Sequence, residues 1–175
     1  MIKNKNIKSI LLIIFLFLTT NCSQNSAMKP EDFKNKEPRL IIENYLSGNV
    51  KAWGILQNRS GKVTRQFSAD LNGKWDGKQL ILDEKFNWDD GEIQTRQWQI
   101  TKIDENNYEG TAGDVVGKAK GFSYGPAFEF EYVLLVPVQG KEIKITFDDW
   151  IFKQDDRVAI NLSLIHISEP TRPIA

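Results

Sequence analysis

The sequence predicts an all-β domain, an antiparallel up-and-down meander that curls into a barrel, with one short N-terminal helix. Three observations carry this. Turn-forming pairs recur at Ser60-Gly61, Asn72-Gly73, Asp76-Gly77, Asp90-Gly91, Asn106-Asn107, Gly125-Pro126 and Gln139-Gly140. The runs between them alternate apolar and polar residues, the period of a half-buried strand. The connections are too short for a crossover helix, so neighbouring strands must pair antiparallel. Strands joined in sequence order close most simply into a meander barrel.

The elements follow in order. Pro38 to Leu46, with Ser47-Gly48 behind it, reads as a short helix packed on one end of the domain. Proline suits its first turn and glycine its stop. Strand character begins at Val50. In Val63–Leu71 the apolar face is Val63, Phe67, Ala69 and Leu71. In Leu80–Trp88 it is Leu80, Leu82, Phe86 and Trp88, and in Gln94–Ile100 it is Trp98 and Ile100. Tyr108–Val116 carries Tyr108, Gly110, Ala112 and Val116, the two small residues leaving room inside. Phe128–Val136 and Ile143–Ile151 are the most regular, with Phe128, Phe130, Tyr132, Leu134 and Val136 in one and Ile143, Ile145, Phe147 and Ile151 in the other.

Five charges fall in phase with these apolar faces: Arg65, Glu84, Arg96, Asp114 and Asp149. An inward charge is costly unless paired. Two explanations stand. One is a closed ion-pair network that fixes strand register. The other is a pocket in which Arg65 and Arg96 hold an anionic head group, since a planar guanidinium grips carboxylate or phosphate through two hydrogen bonds. Glu84, Asp114 and Asp149 would complete the pocket's polar lining, with Trp98 as its aromatic wall. A bulge would reverse the phase, and Asp149 is the most exposed to that error. The five tryptophans read first as packing, and more sharply as a wall for an apolar or sugar ligand.

Composition excludes several functions. Basic and acidic residues balance at 23 each, and no basic run exists to hold nucleic acid. Cys22 is the only cysteine and His166 the only histidine, so zinc sites and Ser–His or Cys–His catalysis lack their usual groups. The acid pairs Asp89-Asp90, Asp148-Asp149 and Asp155-Asp156 point to opposite faces or sit in turns, which suits glycoside hydrolysis poorly. No EF-hand spacing is present. The expectation is therefore a non-enzyme without metal or cofactor.

The N-terminus predicts export. Lys3, Lys5 and Lys8 precede nine apolar residues, Ile10 to Leu18. That run suits a secretory signal and is too short for a bilayer crossing, which takes about 20 residues. Leu18-Thr19-Thr20-Asn21-Cys22 then resembles a bacterial lipobox, with its leucine one place early. An exported chain with one cysteine cannot form an internal disulfide, which favours acylation of Cys22. Residues 1–21 are thus expected to be a signal peptide and 22–37 a lipidated flexible tether. Ser23 favours the outer membrane, facing the periplasm, by analogy with known lipoproteins.

Four stretches carry a wider likeness: "AWGILQNRSGKVTRQF" (Ala52–Phe67), "DEKFNWDDGEIQTRQW" (Asp83–Trp98), "YEGTAGDVVGKAKG" (Tyr108–Gly121) and "FDDWIF" (Phe147–Phe152). They resemble uncharacterised bacterial lipoproteins grouped under a domain of unknown function, from about Leu46 to Asn161. The resemblance implies a lipocalin-like barrel on a lipid-modified cysteine and brings no established activity. Its motif arginines and acids match Arg65, Glu84, Arg96, Asp114 and Asp149. After Asn161, "LSLIHISEPTRPIA" departs from that family and resembles adapter sequence read as protein. The expectation is a β domain over residues 38–161, a non-native tail over 162–175, and a barrel incomplete at its C-terminus. The functional expectation is an outer-membrane lipoprotein that binds or carries a small amphipathic ligand such as a lipid. The alternative is a structural or protein-interaction lipoprotein of the envelope without one.

Overall fold

A computed structural model describes residues 27–138 and 141–167 of the chain. Cys22, the signal peptide expected over residues 1–21 and the turn expected at Gln139-Gly140 lie outside the described residues. Among the described residues, nine strands form one antiparallel sheet in sequence order. They are β1 (Gly48–Gln57), β2 (Val63–Trp75), β3 (Gln79–Trp88), β4 (Ile93–Lys102), β5 (Asn107–Thr111), β6 (Ala119–Tyr124), β7 (Ala127–Val138), β8 (Lys141–Lys153) and β9 (Ala159–Ile167). The sheet curls into a half-barrel with β1 and β9 as its edges. Both are odd in the order and run the same way, so an all-antiparallel closure between them is geometrically excluded.

The helix is shorter than the sequence predicts. Helix α1 spans only Ile42–Tyr45, and the chain before it is extended, with the Leu40 amide donating to the Gly125 carbonyl at 2.8 Å. It does pack one end of the sheet as expected, burying Leu40, Ile42 and Leu46 against Leu80, Ile100, Tyr108 and Phe128. Residues 27–37, read as tether, hold a 3-10 turn at Pro30–Phe33. The Phe33 ring sits 6.1 Å from Trp150 and 5.5 Å from Phe152 on the outward face of β8.

Three further differences have clear causes. β2 runs straight through the expected Asn72-Gly73 turn to Trp75. Glycine is needed there for close approach: a Cβ on Gly73 would stand 1.9 Å from the Leu46 carbonyl oxygen. The space expected at Gly110 is occupied, since a Cβ there would meet the Phe130 ring at 2.4 Å. β5 stops at Thr111, and the loop that follows is pinned by the Val115–Leu134 bridge. At the far end β9 crosses Asn161 without a break, pairing residue by residue with β8 from Ala159↔Lys153 to Ile167↔Ile145.

Candidate functional site

The concave face is built in layers from the α1 end. Above the first layer lie Leu82, Trp98 and Phe130, with Trp98 and Phe130 edge to face at 5.0 Å. Trp98 also reaches Tyr132 at 5.1 Å, and Tyr132 stacks on Phe147 at 5.2 Å, so aromatic rings line the curve from β4 to β8. A polar layer sits against these rings. Glu84 of β3 and Arg96 of β4 are direct cross-strand partners. Asp114 reaches in from the loop after β5, and Asp149 from β8.

Arg96 is the hub. Its Nε donates to both carboxylate oxygens of Asp114 at 3.1 Å, and its Nη2 to one of them at 2.7 Å. Burial pulls its pKa down, but the Asp114 pair holds it above the ordinary value. Glu84 has no such direct partner. Burial pushes its carboxyl up to about 7, and the charges of Asp149 and Asp114 add to that, while Arg96 and the Trp98 indole N–H oppose it. Asp149 accepts from the Tyr132 hydroxyl at 2.7 Å and from the Ser163 hydroxyl. Burial nevertheless raises its pKa. Three carboxyls therefore face one guanidinium.

Arg65 does not join them. It lies six residues along β2 from Leu71, the strand neighbour of Glu84, about 20 Å away at strand rise. Its Nη2 bonds Asp90 and Glu92 of the next hairpin, each at 2.9 Å, and its guanidinium lies 4.0 Å above the Trp88 ring. The hairpin is short enough to return its acids to β2. Of the six residues the sequence singles out, Glu84, Arg96, Trp98, Asp114 and Asp149 come together and Arg65 stands apart.

Sequence reasoning missed several partners. Alternation places Tyr132 on the apolar face without showing its hydroxyl's role, and Ser163 lies in the stretch expected to be non-native. Glu43 is buried on α1, where it accepts the Tyr108 hydroxyl at 2.8 Å and pairs with Lys102. Burial pushes its carboxyl up, but hydrogen bonds from Lys102, its own amide and Tyr108 together hold it below the ordinary value. An acid between Ile42 and Leu46 was the available signal. Among the described residues, no group of three or more His, Cys, Asp or Glu is placed to hold a metal ion.

An open antiparallel half-barrel with a half-buried polar layer on an aromatic concave face is the class these features define. The chain belongs to the family described as Protein of unknown function (DUF3833), whose model matches residues 16–167 and so runs past Asn161. The searches of curated proteins and of solved structures give no match.

Proposed function

We propose that this is a lipoprotein anchored through Cys22 to the outer membrane, facing the periplasm, whose half-barrel takes a small amphipathic ligand on its concave face. One observation carries the reading. The layer of Glu84, Arg96, Asp114 and Asp149 is set among Trp98, Tyr132 and Phe147, a polar patch at an apolar wall. Few polar groups on an apolar surface are what orient an amphiphile. Arg96 is already held by Asp114 and three acids face it, so the ligand's polar end is a hydrogen-bond donor or cation rather than the anion the sequence suggested.

A second reading rests on the same pairing. Both arginines spend their guanidiniums on protein carboxylates, as a network that fixes strand register would require. In that case the protein is a structural or interaction component of the envelope. Nile red titration of the full chain in mild detergent separates the two. Saturable binding that a cationic amphiphile displaces, and that Glu84→Gln weakens, supports the carrier. Dye that partitions equally with wild type and variant supports the structural role. The anchor is tested by Cys22→Ser, which is expected to move the protein to soluble fractions.

A further inference from the structure

Trp53 is set apart from the other tryptophans. Trp98 and Trp150 are buried and Trp75 and Trp88 half-buried, but Trp53 is 74% exposed. It stands on the outward face of β1, opposite Ser68 of β2, which faces Asn87 of β3. One step along the strands, Ile55 faces Gln66, whose carbonyl accepts the Asp89 amide at 3.0 Å. These six residues line an open hollow of about 500 Å³. A second hollow of about 470 Å³ lies on the neighbouring rows of the same face. There Asn72 donates to Asn49, and Gln97 to Asp83, each at 2.7 Å.

The chemistry of this face selects a ligand. A large aromatic left in water on an edge strand forgoes its burial energy, where edges usually carry charge instead. The side chains around it are two amides, a hydroxyl, one carboxylate and the aliphatic Ile55. Each amide offers both donors and an acceptor. An anionic polymer would need a cationic lining, which the first hollow lacks. An acyl chain would cover these polar groups and leave them unpaired. A sugar ring meets both demands: its C–H face lies flat on the indole, and its hydroxyls donate and accept at the rim.

We propose that the outward face of β1–β3 binds a neutral saccharide chain, with Trp53 as its stacking platform and Ser68, Asn87 and Asp89 as hydroxyl partners. The site is separate from the concave face and does not depend on what that face binds. Its open form suits a chain that enters from the side and runs on over the second hollow.

The test is calorimetric titration of the full chain in mild detergent with three soluble tetrasaccharides at millimolar concentration: chitotetraose, cellotetraose and maltotetraose. The expected result is saturable heat with at least one of them. Trp53→Ala should weaken it roughly tenfold or more and Asn87→Ala several-fold, with Trp53→Phe retaining most of it. Far-UV circular dichroism should be unchanged, because an exposed indole holds up little of the fold. Three flat titrations would overturn the proposal, as would binding that survives in Trp53→Ala. Loss of a self-associated species in Trp53→Ala, without sugar binding by wild type, would also overturn it and assign the indole to a protein contact.

Discussion

Arg96 and Asp114 form a two-pronged ion pair between β4 and the loop after β5, with the shortest contact at 2.7 Å. The arginine side chain is 13% exposed and the aspartate 36%. Removing one partner strands a charge in a poorly hydrated place, whereas removing both leaves nothing to strand. We expect Arg96→Met to cost about 2–4 kcal/mol, because it leaves the carboxyls of the layer without their cation, and Asp114→Asn about 1–2 kcal/mol, less because the arginine left behind still faces Glu84 and Asp149. The double variant should cost less than the sum by about 1 kcal/mol, measured by urea unfolding. Arg65→Ala, whose partners sit in solvent, should leave the midpoint close to wild type and lose its effect in high salt.

Glu84 gives the fold a pH dependence of known sign. Its carboxyl titrates near 7 when folded and near the ordinary 4.5 when unfolded. The folded state thus holds the proton more tightly, and stability falls as pH rises from about 4.5 through 7. Glu129, on the outward face and also raised to about 7 by burial and by Asp148, acts in the same direction. Glu84→Gln should flatten the fall only in part. It should raise stability at pH 8 by on the order of 1–3 kcal/mol while changing little at pH 4. Urea midpoints across that range provide the check. Below about pH 4.5, protonation of Glu43, whose folded pKa is lowered, removes stability instead.

Gly110 and Gly73 test the packing. A methyl group at 110 must displace the Phe130 ring from 2.4 Å, so Gly110→Ala should cost about 1–3 kcal/mol, by overpacking. At 73 the obstacle is the Leu46 backbone, which cannot swing aside, so Gly73→Ala should cost more than Gly110→Ala. If residue 110 opened onto a void, its alanine variant would be neutral or stabilising.

The β9 edge makes a prediction about association. Ile160, Leu162 and Leu164 share its outward face at 56%, 49% and 45% exposure, beside a backbone edge that no strand among the described residues pairs. Such an edge recruits other strands. Leu162→Lys should lower self-association in sedimentation without lowering the unfolding midpoint, because that side chain supports little of the core.

The parts of this fold legible in sequence were those that repeat. Alternation placed Leu82, Trp98, Phe130 and Tyr132 on one face because the pleat has period two, and no tertiary contact reverses it. It likewise put Glu84, Arg96 and Asp149 inward. What alternation does not encode is distance along the strand. Arg65 shares their face but sits too far down β2, beside a hairpin whose acids claim it. Asp114 was placed on the right side for an incomplete reason, since it reaches Arg96 from a loop. Asn72-Gly73 looked like a turn because local chemistry cannot show that Leu46 will lie against that glycine. The Trp53 hollow was legible only as a surplus of tryptophan, because its partners lie on three strands.

Native mass spectrometry of the full chain, released from mild detergent, tests the concave-face claim most directly. A co-purified adduct of amphiphile mass is expected. It should diminish in Glu84→Gln and Asp149→Asn and persist in Arg65→Ala, which lies outside the cluster. A bare protein mass, unchanged after incubation with envelope lipids, would contradict the carrier reading. The inward charges would then be a network that holds strand register.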